Sequence, residues 1–258
     1  HTNYTLTLEL AKTFGLESDL VKMQNADMMM RDGRTHIIPW GSVRVPAISL
    51  WSQIKMARLF APMLARRKHM ALEGWPNLLD LDKLELSTYA RLKLNDECLS
   101  YMVRALMLSY SMSEPEGISV AYFLRSLHMY VTTGAHCFRS GNDVLPKAMA
   151  RDLDIRYETA VERILCNGVV RGVRTSKGEM EASAVISAVP SPALLPLYAD
   201  WNGEQREFLE QFTYCKLPLV LYEGELPETI KYWGGVFDRK AGHRLSFITV
   251  PHMKYEAA

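Results

Sequence analysis

The sequence predicts an α+β fold: a helical, mixed-sheet domain interrupted by a compact β-meander segment. Three observations predict it. Residues 1–139 carry apolar side chains mostly at helical spacing, with one early hairpin signal; residues 141–190 set a helix and short strands between minimal turns; the tail returns to strand-like runs. A chain of 258 residues can bury a sizeable core, as one large domain or two small ones.

Taken in order, Leu6, Leu10 and Phe14 recur every four residues and mark one apolar helix face, with Gly15 as a natural stop. In "MMMRDGRTHII" the pair Asp32-Gly33 is a two-residue turn signal between apolar runs, so a hairpin is expected. "SLWSQIKMARLFAPMLARRKHM" is helical in pattern, and Pro62 is expected to bend or interrupt it. Two or three further helices fit between Leu84 and Tyr130, separated at "SEPEGIS" because Pro115 and Gly117 forbid a continuous helix.

The central block changes character. Asp143 can cap a helix whose third residue is Pro146, where a missing N–H costs little, and Leu145, Ala148, Met149 and Leu153 give that helix a buried face. "DIRYETAVERILCN" reads as a pair of short strands ending at Asn167-Gly168, the favoured type I′ dipeptide. "VVRGVRT" alternates back, Ser176-Lys177-Gly178 turns again, and "EMEASAVISAVP" ends as the continuous apolar run of a strand buried on both faces. Beyond Pro190 come a short amphipathic helix, "GEQREFLEQF", and the strand-like pieces "LPLVLYEG", "KYWGGVF" and "HRLSFITV". These are expected to pair with the early hairpin, since an isolated two-stranded hairpin is marginal in water.

Composition excludes several functions. The 30 basic and 29 acidic side chains leave a formal charge of +1, without the basic field that phosphate backbones require, so no nucleic-acid partner is expected. Cys98, Cys137, Cys166 and Cys215 form no C-x-x-C pair, which argues against zinc and a disulfide framework and fits a reducing, cytoplasmic setting. No apolar run approaches the roughly 20 residues that span a bilayer, and the first residues lack a signal-peptide layout. The start at His1 is read as that of a chain cut from a longer one.

On periodicity alone the central block is a generic meander. Its ordered motifs say more: "G-x-x-x-L-P-x-A-x-A-x-x-L-x-I" from Gly141, then "TAVERI", then "GVRTSKGE", then "ASAVISAVP". This order resembles the central segment of the FAD-dependent amine oxidase superfamily, which includes protoporphyrinogen oxidase and phytoene-desaturase-like flavoproteins. "YTLTLELAKTFGLESDLVK" is similar to that superfamily's helix after the first FAD motif, and "MMMRDGRTHIIP" to its first substrate-domain hairpin. The resemblance implies a substrate domain in residues 1–139 and 196–258, with residues 140–195 as the middle of a Rossmann-like FAD domain. It implies FAD contacts at Val161, through backbone groups facing the adenine, and at Ala188, Val189 and Pro190, a strand end beside the dinucleotide. Ser140 stands where a second glycine before Gly141 is usual. The sequence contains no G-x-G-x-x-G, no acidic residue at the matching distance for ribose, and no C-terminal flavin-contacting segment. The implied protein is therefore the middle of an enzyme, and alone it is expected to bind FAD weakly or not at all.

The implied activity is removal of a hydride from a C–N or C–C bond of a largely apolar substrate, or of an amine, with FAD as acceptor. The alternative is a non-catalytic α+β module that binds an apolar ligand or a partner protein. No catalytic residue is assigned: His128, His136, His243 and His252 can each act near neutral pH, but none has metal spacing or a nucleophile beside it. Residues 50–70 read chiefly as a core helix with a solvated basic face. Their second reading is a membrane-surface helix, with Trp51, Ile54, Phe60 and Leu64 flanked by Lys55, Arg58, Arg66, Arg67 and Lys68. Met28, Met29 and Met30 read as core filler. A buried "AVISAVP" strand without neighbours would expose apolar surface, so self-association into a homo-oligomer is expected.

Overall fold

In the computed structural model, which describes residues 4–23, 26–39, 41–42, 44–70, 76–225, 227–228, 230–237 and 245–254, the chain divides into two units. Residues 1–149 with 219–258 form one, and residues 150–218 the other.

The first unit opens with α1 (Thr5–Thr13). Gly15, at φ +70°, donates its N–H to the Lys12 carbonyl, and Leu16 donates to Ala11, a Schellman closure that ends the helix where the sequence placed its stop. The buried residue is Ala11, whereas Leu6 is 67% exposed, which corrects the expected face. Four-residue spacing marks a stripe but does not say which stripe meets protein. After β1 (Leu20–Lys22), strands β2 (Ala26–Arg31) and β3 (Arg34–Pro39) form the hairpin. Asp32 and Gly33 both take positive φ, as a type I′ turn requires.

Helix α2 (Leu50–Ala65) begins at Ser49, whose side chain accepts from the Ser52 N–H. Ser52, Met56, Leu59 and Met63 make its buried stripe. Pro62 does not interrupt it, because the bond it removes lies in the last turn, which ends three residues later. Helices α3 (Leu79–Asp82), α4 (Leu86–Lys93) and α5 (Asp96–Cys98) follow, and α5 runs through a π turn (Leu99–Val103) into α6 (Arg104–Ser111). Met112 then takes a left-handed conformation, and the break containing Pro115 and Gly117 leads to α7 (Val120–Thr132). Arg104 grips Glu114 through two bonds, Nε at 2.7 Å and a terminal nitrogen at 2.9 Å, which fixes that break against α6. Leu59, Met63, Leu86, Met107, Phe123 and Leu124 are almost wholly buried and form the core between these helices. Strand β4 (His136–Phe138) pairs antiparallel with β1, and the Asp19 carboxylate accepts from the hydroxyl of Ser140 at 2.7 Å. Helix α8 (Val144–Ala150) starts at Asp143, whose carbonyl accepts from Lys147. Leu145 and Ala148 are buried as expected, but Met149 and Leu153 are exposed.

The second unit is built on an antiparallel meander of β5 (Val161–Cys166), β6 (Val170–Thr175) and β7 (Gly178–Glu181). Residues 154–160 add no strand, since a turn at Tyr157-Glu158, with Glu158 at φ +53°, breaks the extended run. Asn167-Gly168 is not a two-residue type I′ turn. Cys166 pairs with Val170 after a register shift, so three residues form the loop and only Gly168 takes positive φ. The expected buried strand in "AVISAVP" is likewise corrected: residues 182–190 join no ladder, and Ile186 is 96% exposed. A strand buried on both faces needs neighbours at both edges, and none lies beside it among the described residues. Helices α9 (Ser191–Leu194) and α10 (Gly203–Glu210) close the unit, the latter behind an Asn202–Gln205 capping box.

The tail returns to the first unit. "LPLVLYEG" forms no strand, and Leu221 and Tyr222 point into solvent. Strand β8 (Gly234–Val236) lies parallel to β2, and β9 (Phe247–Thr249) lies antiparallel to β8, giving the sheet order β3-β2-β8-β9. The early hairpin thus gains the tail partners that its marginal stability called for.

Gly172 in β6 is the most constrained position of the meander. It sits at φ +142°, and a Cβ there would lie 1.9 Å from the Met180 carbonyl oxygen. Gly172→Ala should lower stability by about 2–4 kcal/mol, read as a shift of the urea midpoint, and an unchanged midpoint would refute this packing.

Candidate functional site

A cavity of about 350 Å³ lies in the first unit under the hairpin, in the size range of small-ligand pockets. Strand β2 contributes Asp27, Met28 and Met29, and β3 contributes Ile38. The π turn supplies Tyr101 and Met102, and α6 supplies Ala105, Leu106, Ser109 and Tyr110. A π turn holds more residues per turn than an α turn, which keeps positions four apart on one face, and such turns gather at functional sites. Leu127 and Tyr130, one turn apart on α7, face the same space. His136 of β4 completes the lining with Val236 of β8 and Trp233 just before that strand.

Most of this lining is apolar or aromatic, and among the described residues its one acid is Asp27. Burial pushes the Asp27 carboxyl up from its ordinary 3.8 to about 7, against the smaller opposing effect of the Tyr130 hydroxyl, which donates to it at 3.5 Å. Burial, with the nearby Asp27 charge, also raises the phenols of Tyr130 and Tyr110. The next charge on β2, Arg31, is committed elsewhere: its guanidinium stacks 4.5 Å over the Tyr101 ring and bonds the Glu97 carboxylate. His136 Nδ1 is buried without a hydrogen-bond partner among the described residues. A wider concavity of about 940 Å³ in the second unit is lined by β5, β7 and the charged groups of Arg163, Arg171, Glu179, Glu181 and Asp200.

The structure places the four cofactor positions read from the sequence in the second unit. Val161 begins β5, an edge strand, and is exposed; Ala188, Val189 and Pro190 are exposed in the segment that forms no strand. The Pro190 carbonyl is occupied by the N–H groups of Ala193 and Leu194. None of the four lines either concavity. The glycine turn that would hold a pyrophosphate has no counterpart in this sequence. Among the histidines, His136 lines the 350 Å³ cavity. The Thr132 hydroxyl donates to the His128 backbone carbonyl at 2.6 Å, burial lowers the His128 pKa, and His243 and the His252 side chain lie outside the described residues. Met28 and Met29 line the cavity. Outside α2's buried stripe, Leu50, Trp51, Ile54 and Leu64 are exposed beside Arg58, Arg67 and Lys68. No helix among the described residues is long and apolar enough to cross a membrane. Sequence reading missed Asp27, Tyr101, Tyr110, Tyr130 and Trp233. The one local signal was an acid before an apolar run in "ADMMM", and an acid in a strand is usually solvated.

The profile of the flavin containing amine oxidoreductase family matches residues 1–215. The chain belongs to that family. Solved structures share its fold: a protein assigned as a protoporphyrinogen oxidase from Exiguobacterium sp. 255-15 aligns at TM-score 0.65 and 19% identity, over 98% of this chain and 60% of that one. A triple mutant of putrescine oxidase aligns at 0.59 and 16% identity, over 80% and 49%. A CLA-producing fatty acid isomerase from P. acnes aligns at 0.59 and 17% identity, over 81% and 49%. At these identities the likeness is one of fold, and the chain spans 49–60% of the length of these three proteins. No curated protein matches the sequence.

The half-buried Asp27 of this amine oxidoreductase family member has a measurable signature. A carboxyl held near 7 when folded and 3.8 when unfolded favours the protonated fold, so its stabilising effect is full at low pH and is lost as pH rises from about 4 to about 7. Asp27→Asn removes the titration, and above pH 7 the variant should exceed the native chain in stability by about 4 kcal/mol. Parallel urea unfolding curves across this pH window test it; a constant difference between the two proteins would contradict the burial of Asp27.

Proposed function

We propose that the chain carries the substrate chamber and the middle of the cofactor domain of an FAD-dependent oxidoreductase that removes a hydride from a C–N or C–C bond of a largely apolar substrate. The observation that carries this reading is the family match over residues 1–215. Residues 1–139 and 196–258 act as the substrate domain and residues 140–195 as the FAD-domain segment; the cavity's lining, drawn from positions 4–136 and 233–236, supports the substrate role of those stretches, while residues 196–218 fall with the meander in the second unit. When bound, FAD supplies the isoalloxazine ring as hydride acceptor. The chain's residues then divide the remaining work. Val161 would meet the adenine of FAD through its backbone groups, and Ala188, Val189 and Pro190 would lie beside the dinucleotide through backbone and packing contacts. Met28, Met29, Ile38 and Leu127 receive the apolar body of the substrate and exclude water from it. The pyrophosphate requires a glycine-rich strand–turn–helix outside these 258 residues. The exposed face of α2, with Trp51, Ile54 and Leu64 beside Arg58, Arg67 and Lys68, supports contact with an anionic membrane surface.

Flavin absorbance retained after desalting tests the reading. The product of the whole gene should retain the flavin bands and the 258-residue chain should lose them. Loss by both would overturn the flavin assignment and favour a non-catalytic binding module.

A further inference from the structure

Helix α2 is apolar on two opposite sides, and only one of them is buried. At 3.6 residues per turn, Leu50, Ile54, Ala57, Ala61 and Leu64 fall within about 80° of one another, on the side of the helix away from the buried Ser52, Met56, Leu59 and Met63. All five are exposed, Leu50 by 74% and Leu64 by 56%, and the exposed Trp51 borders them. Single exposed apolar residues are ordinary on a protein surface, but a continuous stripe along a 16-residue helix marks an interaction site.

Charge narrows what covers the stripe. Residues 50–70 contain Lys55, Arg58, Arg66, Arg67 and Lys68 and no Asp or Glu, in a chain whose 30 basic and 29 acidic side chains otherwise balance. Two of these cations are committed: Lys55 donates to the Leu94 carbonyl at 3.1 Å, and Arg66 pairs with Asp80 at 2.6 Å. Arg58, Arg67 and Lys68 are exposed. A second copy docked on this face would set these cations against their own kind, since α2 has no acid to answer them. An anionic phospholipid surface supplies both an apolar interior for the stripe and negative headgroups for the cations. At 1.5 Å per residue the helix is about 24 Å long, short of the roughly 30 Å hydrocarbon core of a bilayer, so it is suited to lie in the interface rather than to cross it.

We propose that α2 is an interfacial anchor: its outer stripe lies at the boundary of headgroups and acyl chains in an anionic bilayer, Trp51 sits at headgroup level, and Arg58, Arg67 and Lys68 meet the lipid anions. The proposal rests on the membrane-contact reading of α2, which it extends to a face, an orientation and a lipid charge, and it is independent of the flavin assignment.

Flotation of the full chain with vesicles of phosphatidylcholine alone, and of phosphatidylcholine mixed with phosphatidylserine, tests the anchor. The mixed vesicles should bind the chain roughly tenfold or more tighter, and high salt should remove most of that difference. Arg67→Gln with Lys68→Gln should lose about tenfold in affinity for the mixed vesicles, and Ile54→Gln with Leu64→Gln a similar factor for both kinds. All four side chains are exposed, so the urea midpoint of each double variant should stay at the native value, which separates lost binding from lost folding. Equal binding to the two vesicle types, or binding that neither double variant weakens, would overturn the role of α2 and leave membrane contact to another surface. Binding to neither type would overturn membrane contact as well. Self-association of the native chain that Ile54→Gln with Leu64→Gln abolishes would overturn the anchor by assigning the stripe to a second copy.

Discussion

The pairing of β8 with β2 across some two hundred residues of sequence is the constraint on which the first unit depends. Asp27 lies opposite Gly234 and Met28 opposite Gly235, in parallel register. Close approach is possible because both partners are glycines: a Cβ at Gly235 would lie 2.6 Å from the Met28 methyl carbon, and one at Gly234 would lie 3.1 Å from the Phe247 ring. Trp233 is then held between two strands, its N–H bonding the Ala26 carbonyl at 3.3 Å and its carbonyl accepting from Val250 at 2.6 Å. A two-stranded hairpin becomes an interior strand with neighbours on both sides, and the cavity gains the wall that Trp233 and Val236 provide.

The other end of β2 is anchored by charge. Glu97 draws in Arg31 from the strand and Ser49 and Ser52 from the start of α2, and the Asn95 amide donates to Ser52 at 2.8 Å. Burial alone would raise the Glu97 pKa, but these hydrogen bonds overcome it and bring the carboxyl down to about 2. Arg31 is thereby neutralised four residues from Asp27 and stacked on Tyr101. Among the described residues the strand thus has a carboxylate's counterion at its end and none at its middle, and the middle is where the cavity lies.

Local chemistry was legible wherever a turn or stop obeys short-range rules. Gly15, Asp32-Gly33 and the Pro115–Gly117 break all sit where backbone sterics place them. The same rules misread Asn167-Gly168, because a register shift in the ladder took one residue from the turn. They misread "AVISAVP" because apolarity reports a buried strand only where neighbouring strands exist. The family could be read from the order of motifs across residues 141–190, while the cavity could not. Asp27 and Tyr130 are 103 positions apart, and Trp233 is brought to them by a parallel pairing that no local pattern encodes. An acid in a strand looks solvated until the tertiary fold removes the water.

The central claim is that the tertiary fold takes water away from Asp27. Its direct test is a carbon NMR titration of the labelled Asp27 carboxyl. The account predicts a midpoint near 7. A midpoint in the ordinary carboxylate range, about 4, would contradict it.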